Sequence, residues 1–139
     1  MKKRFFVLSV VLLLVVSVLA GPAGAVSANG QGIQPYYVNL AKLLPDIDIS
    51  GGTATCECTA RSNTSSDSIY LSMSIQRYSN GSWTNVKSWA TTGGGSASLY
   101  KTTEVSSGYY YRVKASATVY SADGTLVETA NKTTSSKYY

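Results

Sequence analysis

The chain has 139 residues, with twelve Lys and Arg, seven Asp and Glu, and no His, for a formal net charge of +5. The missing His excludes Ser-His-Asp and Cys-His catalysis together with the usual zinc and copper ligand sets. With 14% of residues charged, there is little material for the concentrated basic patch that nucleic-acid binding needs.

The chain opens on Lys2, Lys3 and Arg4, followed by a run of Phe, Val and Leu from Phe5 to Ala20 and then small residues from Gly21. That order of parts predicts a bacterial-type secretory signal peptide over 1–28. Cleavage fits after Ala25 or after Ala28, since each ends a small-x-small triplet. The apolar run of about sixteen residues is short of the roughly 20 that a spanning helix needs, so no stable membrane anchor is expected after cleavage. No Cys stands directly after the run, and Lys137-Tyr138-Tyr139 form neither an apolar tail nor a sorting motif. The expectation is a secreted, extracellular protein. Three of the twelve basic residues leave with the signal, so nine remain against all seven acids. That balance is too mild for nucleic acid or an anionic membrane.

Residues 29–45 read as a partly disordered leader, although Pro35 to Leu44 holds Tyr36, Tyr37, Val38, Leu40, Leu43 and Leu44 and fits an edge strand or one helical turn equally well. From Asp46 the pattern alternates. Ile47 and Ile49 lead to Gly51-Gly52, and Ala54, Cys56, Cys58 and Ala60 then alternate with polar residues up to Arg61. Period two over such lengths predicts strands with one buried face. The loop 62–67 is wholly polar. Ile69, Leu71, Met73 and Ile75 mark the clearest strand, and Ser79-Asn80-Gly81 a hairpin turn. Between Trp83 and Trp89 the alternation slips, which predicts a bulge or an edge position. Beyond Gly93-Gly94-Gly95 a strand starts at Ala97. The longest strand, Tyr109 to Tyr120, is followed by an Asp123-Gly124 turn and a last strand to about Thr134.

Six or seven antiparallel strands at this spacing indicate a sandwich or barrel. Ser106-Ser107-Gly108 feeding a Tyr-x-Tyr-x-Val strand resembles the tyrosine corner of immunoglobulin and fibronectin type III domains. The runs Ser50 to Cys56, Asn80-Gly81-Ser82-Trp83 with Val86 and Ser88-Trp89, and Val105 to Val119 are also similar to small secreted proteins of Gram-positive bacteria whose function is not established. The resemblance implies an all-β, single antiparallel β-sandwich of about seven strands over 46–139, immunoglobulin-like or fibronectin type III-like. It carries no catalytic residues. It also departs from the antibody pattern, because no Cys stands near Arg112 or Val113.

The seven acids are scattered, and nothing in their spacing pairs two carboxyls across a cleft as glycoside hydrolysis requires. No enzyme activity, cofactor or metal site is expected. Cys56 and Cys58 share one strand face at roughly 6.5 to 7 Å between Cα atoms, the far limit for a disulfide. They read first as small core residues, with a bridge across a bulge or between molecules as the alternatives. Tyr70, Tyr78, Tyr110 and Tyr120, with Arg112 among them, fall on outward positions of what would be neighbouring strands. Flat rings interleaved with hydrogen-bonding groups suit a glycan or protein ligand. The function expected is therefore a secreted, non-catalytic recognition module. The alternatives are a self-associating cell-surface or spore structural protein, or a secreted toxin or antimicrobial.

Overall fold

The computed structural model describes residues 37–139, so the expected signal peptide and the first part of the expected leader, 29–36, lie outside the described residues. Eight strands follow in order: β1 (Leu40–Ser50), β2 (Thr53–Ser62), β3 (Ser68–Ser79), β4 (Ser82–Gly94), β5 (Ser96–Glu104), β6 (Tyr110–Tyr120), β7 (Leu126–Thr133) and the short β8 (Lys137–Tyr138). There is no helix among the described residues. One sheet has the order β1-β2-β5, and the larger has β4-β3-β6-β7 with β8 also paired to β6. Every pairing is antiparallel. The two sheets pack face to face as an antiparallel β-sandwich, as the period-two pattern implied.

The core divides its volume unevenly between the sheets. β2 contributes the small residues Ala54, Cys56, Cys58 and Ala60, while β3 contributes Ile69, Leu71, Met73 and Ile75 and β6 adds Val113, Ala115, Ala117 and Val119, all buried. The small residues of β2 lie between Leu40, Leu43 and Ile47 of β1 and Leu99 of β5 on the same sheet, so large and small side chains interdigitate across the interlayer. Cys56 and Cys58 are free and buried. Around Cys56 and Cys58 β2 pairs without a register shift against both of its neighbours, so the bulge that an unstrained bridge between them would need is absent. Burial pushes both thiols up to about 11, because a thiolate there would lose its hydration.

β1 begins at Leu40, within the stretch read from sequence as a leader. A register shift between Leu40 and Lys42 marks a bulge at Ala41, which lets both Leu40 and Leu43 face the core. Pro45 pairs with Cys58 in mid-strand, tolerated because β1 is an edge and the missing N–H faces away from the ladder. The start of β1 is tied across the sandwich by Glu128 of β7, whose carboxylate accepts hydrogen bonds from the amides of Val38 (3.2 Å), Asn39 (2.8 Å) and Leu40 (2.9 Å). At the same end the Ser62 hydroxyl donates to the buried Asp67 carboxylate at 2.5 Å.

At the β5–β6 corner the Tyr111 hydroxyl donates to the Ser106 carbonyl (2.8 Å) and accepts from the Ser106 amide (3.2 Å). This is the tyrosine-corner contact expected from the Ser106-Ser107-Gly108 run. In the β6–β7 turn the Ser121 hydroxyl and the Thr125 amide bind the Asp123 carboxylate and lower it to about 2. After β7 the chain makes an irregular step at Thr134, whose amide donates to the Val113 carbonyl and whose hydroxyl accepts from the Val113 amide. It then rejoins β6 as β8, pairing Tyr138 with Tyr110 and Lys137 with Tyr111. Lys137 Nζ lies 3.0 Å from Asp48 and lowers its pKa by hydrogen bond and charge. This exposed pair contributes little to stability.

Candidate functional site

The outer face of the larger sheet carries the candidate site, and the β3–β4 hairpin sets its geometry. Asn80 and Gly81 both adopt positive φ (51° and 79°), as a two-residue turn that matches the strand twist requires. The turn places Tyr78 directly opposite Trp83. Farther along β4, Ile75 faces Lys87 while Gln76 faces Asn85, so Val86 is an extra, bulged residue. Trp83 and Trp89 are six apart and would share a face in a regular strand. The bulge puts Trp83 outward beside Tyr78, whereas Trp89 packs partly buried against the core. The slip expected between Trp83 and Trp89 is thus both a bulge and an edge strand, and it gives the two indoles opposite roles.

The registers then align an aromatic row across four strands. Trp83 faces Tyr78, Tyr78 faces Tyr110, and Tyr110 faces Tyr138. At the usual strand spacing the row is about 14 Å long. Ring centroids are 5.1 Å apart for Tyr78 with Trp83 and 5.1 Å for Tyr110 with Tyr138. Tyr78, Tyr110 and Tyr138 are 41%, 49% and 64% exposed, so their rings remain open to a ligand.

The neighbouring row is polar and clamped. The buried Gln76 donates from Nε2 to Asn85 Oδ1 (2.8 Å) and accepts at Oε1 from Arg112 Nε (2.9 Å). The Arg112 guanidinium lies over the Trp83 ring, 4.1 Å from its centroid. Trp83 and Arg112 sit on the two strands flanking β3, so their side chains meet above it, which explains why Gln76 is buried on an outer face. A guanidinium held both by a hydrogen bond and by an aromatic face is fixed before any ligand arrives.

Next to this clamp the sheet surface sinks into a shallow depression of about 340 Å³, lined by Ser72, Ser74, Ser88, Lys114, Ser116 and Asn131. These are short hydroxyl and amide side chains around one ammonium. A second depression, of about 590 Å³, lies on the other sheet near Lys42, Arg61, Ser96 and Ser98 and has no aromatic residue in its lining. The first depression has no ring in its lining either, but through Gln76 and Asn85 it adjoins the clamp and the row from Trp83 to Tyr138, so the aromatic face is the stronger site.

Of the residues singled out from sequence, Tyr78, Tyr110 and Arg112 come together in this site. Tyr70 and Tyr120 share the same face but not the same place. Tyr70 pairs with Thr118, and Tyr120 with Ser68, at the opposite end of the sheet, roughly 26 Å from Tyr78 along β3. Trp83 and Tyr138, which sequence reasoning left open or missed, replace them. Asn-Gly two residues after Tyr78 signalled that Trp83 would face it. No signal for Tyr138 precedes the irregular step at Thr134. Among the described residues no three His, Cys, Asp or Glu lie close enough to hold a metal ion.

Fold and site together define an antiparallel β-sandwich protein with one aromatic, clamped sheet face. The sequence matches no protein-family model, and comparison with curated proteins finds no relative.

Proposed function

We propose that this is a secreted, non-catalytic recognition module that binds glycan through the row Trp83, Tyr78, Tyr110 and Tyr138. The observation that carries the reading is the joint placement of that row and of Arg112, locked by Gln76 and Trp83, beside a hydroxyl-lined depression. Open tyrosine rings supply contact area at low conformational cost, and small polar side chains next to them supply hydrogen bonds for sugar hydroxyls. Export is supported by the basic start and apolar run of residues 2–20, and by the resemblance to small secreted proteins of Gram-positive bacteria.

Self-association through sheet edges has less behind it. The edge strand β4 is bulged at Val86, and Lys87, exposed on the side of the strand that faces the other sheet, lies over the Trp89 ring (5.8 Å). Both features block strand addition.

A glycan array probed with the purified protein, with Trp83→Ala and Tyr110→Ala beside it, tests the reading. Retention by the wild type on a defined set of glycans, lost in both variants while their melting temperatures stay within a few degrees, is the expected result. No retention on any glycan, or equal retention by the variants, sinks it.

A further inference from the structure

The outward positions of β3, β4, β6 and β7 contain no carboxylate, and their only charged residues are Arg112 and Lys114. The acids lie elsewhere. Asp46, Asp48, Glu57 and Glu104 stand on the other sheet's outer face, Asp67 is buried against Ser62, Asp123 is in the β6–β7 turn, and Glu128 binds the amides of Val38 to Leu40. The one ion pair among the described residues joins Lys137 to Asp48. Neither Arg112 nor Lys114 therefore has an acidic partner among them.

Two cations two residues apart on one strand face stand about 7 Å apart at Cα and repel each other. With nine Lys and Arg against seven acids beyond residue 28, composition alone does not clear a whole sheet face of carboxylates. Arg112 is moreover fixed through Nε, which leaves its terminal nitrogens without a hydrogen bond among the described residues. A neutral glycan offers hydroxyl donors, for which carboxylates are the strong acceptors. This face offers the reverse: its strong groups are donors, and its acceptors are neutral hydroxyls and amides.

We infer that the ligand is an anionic glycan, a polysaccharide bearing carboxylate or phosphate groups. Its sugar rings lie on Tyr78, Tyr110 and Tyr138, and its anionic groups meet the free end of Arg112 and Lys114 Nζ in the depression. The inference rests on the glycan-recognition reading above and names the class of glycan.

Affinity electrophoresis of the purified protein tests it. The acidic probes are polygalacturonate, hyaluronate and a glycosylated poly(glycerol phosphate), whose comparison separates carboxylate from phosphate. The neutral probes are methyl-esterified polygalacturonate and dextran. Poly-glutamate and oligothymidylate complete the set. At least one acidic polymer is expected to bind roughly tenfold more tightly than the neutral ones, the worth of one or two charge-assisted contacts. Lys114→Ala should lower that affinity about five- to tenfold and so narrow the preference for acidic over neutral polymers, whereas Trp83→Ala lowers both alike and keeps the preference. Lys114 is exposed, so its removal leaves folding intact, which a thermal melt verifies. Equal binding of acidic and neutral polymers overturns the anionic inference and leaves glycan recognition standing. Binding of no polysaccharide overturns both. Equal or tighter binding of poly-glutamate or oligothymidylate also overturns it, because charge or base stacking alone would then suffice.

Discussion

The guanidinium carbon of Arg112 lies 4.1 Å from the centre of the Trp83 ring, with the whole of β3 between the strands that carry the two residues. Their contact roofs Gln76 and makes three strands into one surface. In a double-mutant cycle of Trp83→Ala and Arg112→Ala, followed by urea unfolding, the two changes should be coupled by about 0.5–1 kcal/mol. A coupling of zero would mean that the stacked arrangement does not persist in solution.

The bulge at Val86 decides which face each Trp occupies, and its side chain is exposed. Val86→Thr should therefore change stability by less than about 0.5 kcal/mol. Deleting Val86 leaves Trp83 and Trp89 five apart, on opposite faces of an unbulged strand with the other pairings kept, so both indoles should keep their surroundings and the Trp fluorescence maximum its position. Denaturant midpoints and Trp fluorescence maxima of the two variants are the measurements. A shifted fluorescence maximum in the deletion, with that of Val86→Thr unchanged, would reject Val86 as the extra residue.

Tyr111→Phe removes one hydroxyl and leaves both backbone groups of Ser106 without their partner. A loss of about 1–2 kcal/mol with an unchanged denaturant slope is expected. Tyr110→Phe, on the exposed face, is the control and should be nearly neutral. If the two variants melt together, the corner contact contributes nothing.

Cys56 and Cys58 should resist alkylation at pH 8 until the protein unfolds, because their thiols titrate near 11 in the folded state. The raised value also makes stability depend on pH. The folded protein holds these protons more tightly than the unfolded chain does. The contribution is thus complete below pH about 8.5 and is lost as pH rises toward 11. Between those limits the wild type should lose about 3 kcal/mol per thiol relative to a Cys56→Ala, Cys58→Ala variant. Parallel pH profiles for the two proteins would show that the thiols do not titrate as buried groups.

The central strands were plainly legible. β3 and β6 each have a partner on both sides and keep strict alternation, so Ile69 to Ile75 and Tyr111 to Val119 declare their buried face by period alone. β1 did not declare itself. The bulge at Ala41 spaces Leu40, Leu43 and Ile47 three and four residues apart, a spacing that a helix also produces. β8 escaped notice because two residues beyond an irregular step carry no period.

For the site, the sequence by itself determined sidedness: alternation puts Tyr70, Tyr78, Tyr110, Arg112 and Tyr120 on one face, because successive strand residues point to opposite sides. It also determined a chain without His and with scattered acids. Only the tertiary structure decided which of those outward residues meet. Register between strands is set by the turn at Asn80-Gly81, the bulge at Val86 and the close of β8 on β6. It brings Trp83, Tyr78, Tyr110 and Tyr138 into one row and leaves Tyr70 and Tyr120 at the far end. A period names the face a residue occupies, but neighbours across a sheet come from hydrogen-bonded pairing between segments distant in the chain.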